Sequence, residues 1–209
     1  LDEFIEGFDI TKVSLGGPVF DLVKLGWVNN QHMRRKDLAE LVELAKPFFL
    51  AKCYITENST EKELEALTKV VEILREGAIT LKEIAELADI YYVDSFELDK
   101  VTEEMNKNER KSVERLYHAI EDETGKKSIK LFIEKLNAVN EEITADEAKA
   151  MLHDTMEEIG EGPGKVLMPL RVVITGRGKG AELYNVISII GKTRTLKRIN
   201  EMVAKYNIF

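Results

Sequence analysis

At 209 residues with 44% hydrophobic content, the chain is long enough to bury one large core or two or three small ones. No apolar run approaches the ~20 residues of a membrane span, and a single cysteine, Cys53, excludes an internal disulfide or a cysteine-rich metal site. A net charge of −8 excludes indiscriminate nucleic-acid binding, which needs a concentrated positive face.

The N-terminus lacks the basic-then-apolar pattern of a secretory leader, so a cytoplasmic location is expected. Because Leu1 rather than Met opens directly into a helix-like segment, the chain reads as a piece of a longer polypeptide. Residues 1–36 mix Phe4, Ile5, Phe8, Val13 and Phe20 with a Gly16-Gly17-Pro18 turn, a short and irregular helical unit. Its last segment, KLGWVNNQHMR at 24–34, repeats Leu25, Val28 and His32 at helical spacing, with Lys24 and Trp27 on a neighbouring face. Trp27 suits a packing anchor; His32 and Arg34 suit either phosphate contacts or a solvated helix end.

From 37, Leu38, Leu41, Val42 and Ala45 trace a helix expected to stop at Pro47. Thr60-x-x-Glu63 and Thr80-x-x-Glu83 are capping boxes ahead of two further helices, and Gly77 closes the first of these. Polar residues 93–112, with Asp94-Ser95 and Asn106-Lys107-Asn108 as candidate caps, place a domain junction near 99. Beyond it, Val113, Leu116, Tyr117 and Ile120 form one helix and Ile129, Phe132, Ile133 and Leu136 another, with Thr124-Gly-Lys-Lys127 between them. A third capping box, Thr144-x-x-Glu147, starts the next. The apolar run 166–174 is the one stretch with strand character, and Pro169 argues against a central strand. The expected fold is all-α: a unit at 1–39 and helical domains at 40–98 and 99–209.

Residues 164–198 stand apart in charge. They carry eight Lys/Arg and one acid, Glu182, while the rest of the chain carries 22 basic and 37 acidic residues. The run 166–174 ends in Gly176-Arg-Gly-Lys-Gly180, and Gly191-Lys-Thr-Arg194 opens a last helix. Glycines allow close backbone approach, and helix N-termini with basic side chains suit phosphate. A buried helix pair joined by a solvated charged turn explains the spacing equally well. The three histidines, His32, His118 and His153, have no metal-ligand spacing, and the glycines at 176, 178 and 180 do not fit a nucleotide loop.

GKVLMPLRVVITG, then RGKGAEL, then IGKTRTLKRIN, in that order, resemble the C-terminal, anticodon-gripping end of bacterial glutamyl-tRNA synthetase. The resemblance extends to ITLKEIAELADIYY at 79–92 and to FDITKVSLGGPVFDLVKLGWVNNQHMR, and so covers essentially the whole chain. It implies a stem-contact unit followed by two helical anticodon-binding domains. That family's K-L-x-W-x-N pattern falls on Lys24, Leu25, Trp27 and Asn29, with His32 and Arg34 following, and implies contacts to the tRNA stem. Arg177, Lys179, Lys192 and Arg194 would be further phosphate contacts. The implied anticodon-contacting positions are Met168, Arg171, Gly180, Ala181 and Leu183, with His153 as an outlying candidate. Arg171 is the strongest of them, because an arginine inside an apolar run is costly to desolvate without a partner. An intramolecular carboxylate is the alternative partner.

Gly77 departs from the family pattern. Members that accept only the glutamate tRNA often carry arginine there, whose donors match the O2 and N3 acceptors of cytosine and oppose the donors of guanine. Glycine offers neither, which motivates the hypothesis that the parent enzyme also takes the glutamine tRNA; Arg75 is a candidate substitute. The family's ATP-binding signatures, HIGH and KMSKR, are absent, so the resemblance implies a monomeric ligase that uses ATP and Mg2+ through a catalytic domain elsewhere in the parent chain, and no cofactor in this part. A helical protein-interaction module without an RNA role is the rival reading.

Overall fold

The computed structural model describes residues 2–12, 16 and 19–209, for residues 2 and 3 the backbone alone, and among these it is helical with no strand. Val13, Gly17 and Pro18, on which part of the expected N-terminal turn rests, lie outside the described residues. The N-terminal unit holds α1 (Asp2–Gly7) and α2 (Leu22–Arg35). A first group follows with α3 (Leu38–Ala51), α4 (Glu61–Leu74), α5 (Leu81–Leu87) and α6 (Asp89–Tyr92). The second group comprises α7 (Lys107–Glu121), α8 (Glu123–Ala138), α9 (Ala145–Ile159), α10 (Pro163–Thr175) and α11 (Leu183–Tyr206).

Side-chain caps set most of the helix starts. Thr60 and Glu63 bond each other's backbone N–H groups at 3.3 and 2.7 Å, as do Thr144 and Glu147 at 3.2 and 2.8 Å. Asn106 makes the same reciprocal pair with Glu109. Each such cap satisfies donors that a helix leaves unpaired and contributes about 1 kcal/mol. At α5 the box is only half made: Thr80 accepts from the Glu83 N–H, but the Glu83 carboxylate accepts from Ile79 N–H, one residue further back.

Four sequence expectations about boundaries give way to packing. Helix α3 does not stop at Pro47 but runs on to Ala51, because continuing it buries Phe49 completely while Pro47 and Glu43, whose carbonyl loses its donor, sit on the exposed face. Thr124–Lys127 is not a connector: α7 ends at Glu121 and Asp122 caps α8 one residue later. Gly125 is therefore inside α8, where a Cβ would sit 2.0 Å from the Ala119 carbonyl oxygen and 3.3 Å from Pro169. On α2 the buried residues are Asn30 and Met33, with Gly26 against Ile79, whereas Leu25, on the expected apolar face, is 49% exposed and Trp27, expected as a packing anchor on a neighbouring face, is 62% exposed. Gly77 follows α4 without the left-handed backbone of a C-terminal glycine, so no conformational demand selects glycine there.

Helix α10 carries Pro169 in its middle, tolerated because Val166, Leu170, Val172, Val173 and Ile174 are all fully buried. It starts at Pro163 and ends at Gly176, whose φ of 69° is the left-handed closure that favours glycine. Gly191, at φ 76° and ψ 175°, breaks α11 into two straight pieces. The buried side chains of both groups form one contiguous cluster. Between the groups, residues 93–106 run without helix, and Leu98 is buried there with its N–H donating to the Tyr206 hydroxyl at 2.7 Å.

Candidate nucleic-acid interface

Where the two helical groups meet they leave a cleft of about 300 Å³. One wall is Ile73, Leu74, Gly77, Leu87 and Ile90, from α4, the turn after it, α5 and α6. The other is Arg171, Thr175, Arg177, Lys179, Gly180 and Ala181, from the end of α10 and the glycine turn. The fold thus brings together Arg171, Gly180, Ala181 and Gly77, which lie about a hundred residues apart in sequence.

Arg171 is half-buried and makes no ion pair among the described residues. Its Nη1 donates to the Ala181 carbonyl at 2.7 Å, and this is its one hydrogen bond among the described residues, leaving most of a five-donor fork for a ligand. Burial holds its pKa below the ordinary arginine value, opposed by the charges of Glu182 and Tyr91. Gly180 holds φ 140°, a backbone conformation that favours glycine, and lies beside the Arg171 guanidinium, with Nη1 4.0 Å from where a Cβ would stand. Lys179 is exposed on the rim without an ion pair among the described residues. Arg177 is paired instead with Asp89.

The other glycines of the turn approach protein rather than an anion. A Cβ at Gly176 would fall 2.7 Å from Phe96 Cβ, and one at Gly178 would fall 2.8 Å from Leu116. Their freedom is used for packing.

The remaining expected site residues are scattered. Met168 lies under Gly178 and lines a separate groove with Lys111, Arg115 and His118. Leu183 is only 3% exposed and belongs to the core. His153 is exposed on α9, 3.8 Å from Glu157 and away from the cleft. Lys192 is engaged internally: its Nζ donates to the carbonyls of Asn137 and Val139 at 3.1 and 2.8 Å. The helix N-terminus after Gly191, read as a phosphate seat, is filled by Glu141, which accepts from the N–H and hydroxyl of Thr193 at 3.2 and 2.7 Å.

Asp94 is not a helix cap but an ion-pair partner of Arg194 and Lys197, at 2.6 and 3.2 Å. Partial burial works against its charge, yet the bonds from Lys197 and Arg194 hold its carboxyl below the usual range. Sequence reasoning missed Arg198, which is fully buried. Arg198 donates to the carbonyls of Ile90 at 2.7 Å, Ile174 at 3.3 Å and Val93, with the Phe96 ring 4.9 Å from its Cζ. Burial pushes its pKa down to about 10, so it stays charged at neutral pH. A signal was present: Thr195, Arg198, Ile199 and Met202 share one buried stripe, and an arginine in such a stripe must find internal acceptors.

On the N-terminal side, Lys24, Trp27 and His32 are exposed. Asn29 and Arg34, by contrast, reach the turn that carries Gly77. Asn29 Nδ2 donates to the Ile79 carbonyl at 2.5 Å, Asn30 Nδ2 to those of Arg75 and Ala78 at 3.1 and 2.7 Å, and Arg34 pairs with Glu76. Arg75 turns toward the end of α2, with Nη1 3.4 Å from the Lys36 carbonyl.

Comparison with known proteins agrees with this architecture. Over its whole length the chain is 58% identical to the glutamate–tRNA ligase of Fusobacterium nucleatum, covering 41% of that protein. Against the same-named protein of Carboxydothermus hydrogenoformans it is 35% identical over 95% of its length, covering 38%. A crystal structure of a glutamate tRNA ligase from Elizabethkingia meningosepticum superposes with a TM-score of 0.72 at 24% identity, over 97% of this chain and 36% of that one. The chain therefore spans about two fifths of the length of the curated relatives it matches. Residues 40–203 match the anticodon binding domain family, and with that match spanning most of its length the chain belongs to this family.

Proposed function

We propose that this chain is the anticodon-reading part of a glutamate–tRNA ligase, gripping tRNA(Glu) for a catalytic domain elsewhere in the parent chain, which joins glutamate to tRNA with ATP and Mg2+. The observation that carries the reading is the cleft between the helical groups: an arginine fork with free donors, a lysine on the rim and an apolar opposite wall. Unstacked bases are recognised in this way, by stacking on flat or apolar surfaces and by donors along their Watson–Crick edges. Lys24, Trp27 and His32 are the exposed candidates for the stem. The parent is expected to be a cytoplasmic monomer, and no helix among the described residues is long and apolar enough to cross a membrane.

A specific observation also favours a protein contact. Phe4, Ile5, Phe20, Leu22, Val23 and Trp27 are all more than half exposed. We assign these exposed apolar side chains to contact with the catalytic domain of the same parent, in preference to an independent interaction module. We further propose that the parent discriminates weakly between tRNA(Glu) and tRNA(Gln). A Cβ at Gly77 meets nothing within 4 Å and glycine itself supplies no donor, so the space that an arginine side chain would enter there is open.

The test is tRNA binding by the full parent chain across a salt series, with cognate and anticodon-altered transcripts. Anticodon reading predicts a steep log–log salt dependence and at least tenfold weaker binding when the anticodon is changed. An interaction module predicts neither. For discrimination, a preference above ~100-fold for one transcript, about 2.7 kcal/mol, would refute the weak-discrimination proposal.

A further inference from the structure

Helix α6 is four residues long, so its carbonyls have almost no donors of their own. Two guanidinium groups one turn apart on α11 supply them. Arg198 takes Ile90 and Val93, and Arg194 takes Tyr91 and Tyr92 at 2.9 and 3.3 Å, so four consecutive carbonyls accept from two forks. The same Arg198 Nη1 also donates to the Ile174 carbonyl, in the last turn of α10. Ile90 belongs to one wall of the cleft, and Ile174 immediately precedes Thr175 in the other. Asp89, next to Ile90, and Arg177, three residues after Ile174, pair side chain to side chain.

We infer that Arg198, seconded by Arg194, is a positioning residue that sets the width of the anticodon cleft: one buried nitrogen holds the Gly77 wall to the Arg171 wall without touching RNA. The inference rests on the anticodon reading above for its consequence in tRNA selection, but not for its geometry. Packing alone would join the two groups at some distance. Carbonyl acceptors in fixed positions, met by planar forks, choose one distance, because a buried guanidinium that slips by an ångström leaves several buried polar groups unsatisfied. Lysine cannot reproduce the arrangement, since a single ammonium cannot span acceptors in two helices with a planar fork.

The test uses the full parent chain with Arg198→Lys and Arg198→Met, each checked for folding by thermal melting, and Arg194→Gln as the milder variant. Binding is measured for the cognate transcript and for one with a replaced anticodon. The inference predicts that Arg198→Lys lowers the ratio of the two affinities at least tenfold, while affinity for the replaced-anticodon transcript, which reports stem and phosphate contacts, stays within twofold. Arg194→Gln lowers the ratio about threefold. A folded Arg198→Lys enzyme with an unchanged ratio overturns the inference.

A second measurement is independent of RNA. Spin labels at Lys82→Cys and Lys179→Cys, in a parent chain with Cys53 and every other reactive cysteine replaced by serine, report the separation of the two sides. Arg198→Lys, or Arg194→Gln if the former does not fold, should broaden the distance distribution, and an unchanged distribution again overturns the inference. If the unsubstituted protein ignores the anticodon altogether, the functional reading fails, and the spin-label result alone decides the clamp.

Discussion

Two cationic stretches of the basic end, 171–179 and 192–198, meet opposite fates in this molecule. In the second, every cation has an acceptor within the protein: Lys192 on the carbonyls of 137 and 139, Arg194 and Lys197 on Asp94, and Arg198 on three carbonyls. In the first, Arg177 is paired with Asp89, but Arg171 keeps most of its donors free and Lys179 stands on the rim. Charge density in sequence therefore does not locate a nucleic-acid surface. What separates the stretches is whether the fold delivers acceptors to them, and those acceptors lie 24 to 108 residues away, on α10, on α6, on Asp94 and before α9.

The contrast is broken most forcefully by exchanging the roles of the two arginines. Arg198→Ala should cost about 3 kcal/mol or more of stability, because it leaves several buried carbonyls without donors and opens a cavity; the urea midpoint of the parent chain measures this. Arg171→Ala should cost less than about 1 kcal/mol by the same measurement, since a single carbonyl bond is lost at a half-buried site. In return, Arg171→Ala should weaken cognate tRNA binding by about 10- to 100-fold, the range of one lost donor fork against a base. If Arg171 proves structural and Arg198 dispensable, the assignment of the two stretches is reversed.

Smaller effects sharpen the same comparison. Gly77→Arg fits the open wall without backbone strain and should raise the preference for tRNA(Glu) over tRNA(Gln) by about tenfold in aminoacylation assays. Lys179→Ala should reduce the slope of log affinity against log salt by about one contact, whereas Lys197→Ala should leave it unchanged.

Asp94 supplies a pH test. Its carboxyl is depressed in the folded state, so its contribution is present above the ordinary aspartate value near 3.8 and is lost as pH falls through the lower folded value. Stability followed from pH 6 down to 3 should decline less steeply in Asp94→Asn than in the unsubstituted chain. The difference should be small, because the carboxylate is about half exposed.

Helix starts were legible in the sequence at Thr60, Asn106 and Thr144, where a reciprocal cap lies within three residues of its partner, but not at Asp122, whose cap carries no such return bond. Helix ends were less so. Pro47 and Pro169 carry the local signature of a stop, yet both sit inside helices, since the apolar burial gained beyond each outweighs one missing hydrogen bond. Gly125 read as a connector and is a contact point between helices. Of the expected site residues, Arg171, Gly180, Ala181 and Gly77 converge on one cleft, while Met168, Leu183 and His153 do not. The resemblance transfers positions along a chain, and only the helix phase decides which of them face the same space.

From the amino-acid order alone came the all-α class, the caps, the split of charge between an acidic body and a basic end, and the family, because these depend on residues close in sequence or on motif order. The tertiary structure decided which cations are free, where Gly77 lies relative to Arg171, and that α11 serves as a clamp for α6. Those are matters of pairing between distant segments, and a buried arginine or a backbone carbonyl finds its partner only when the whole chain has folded around it.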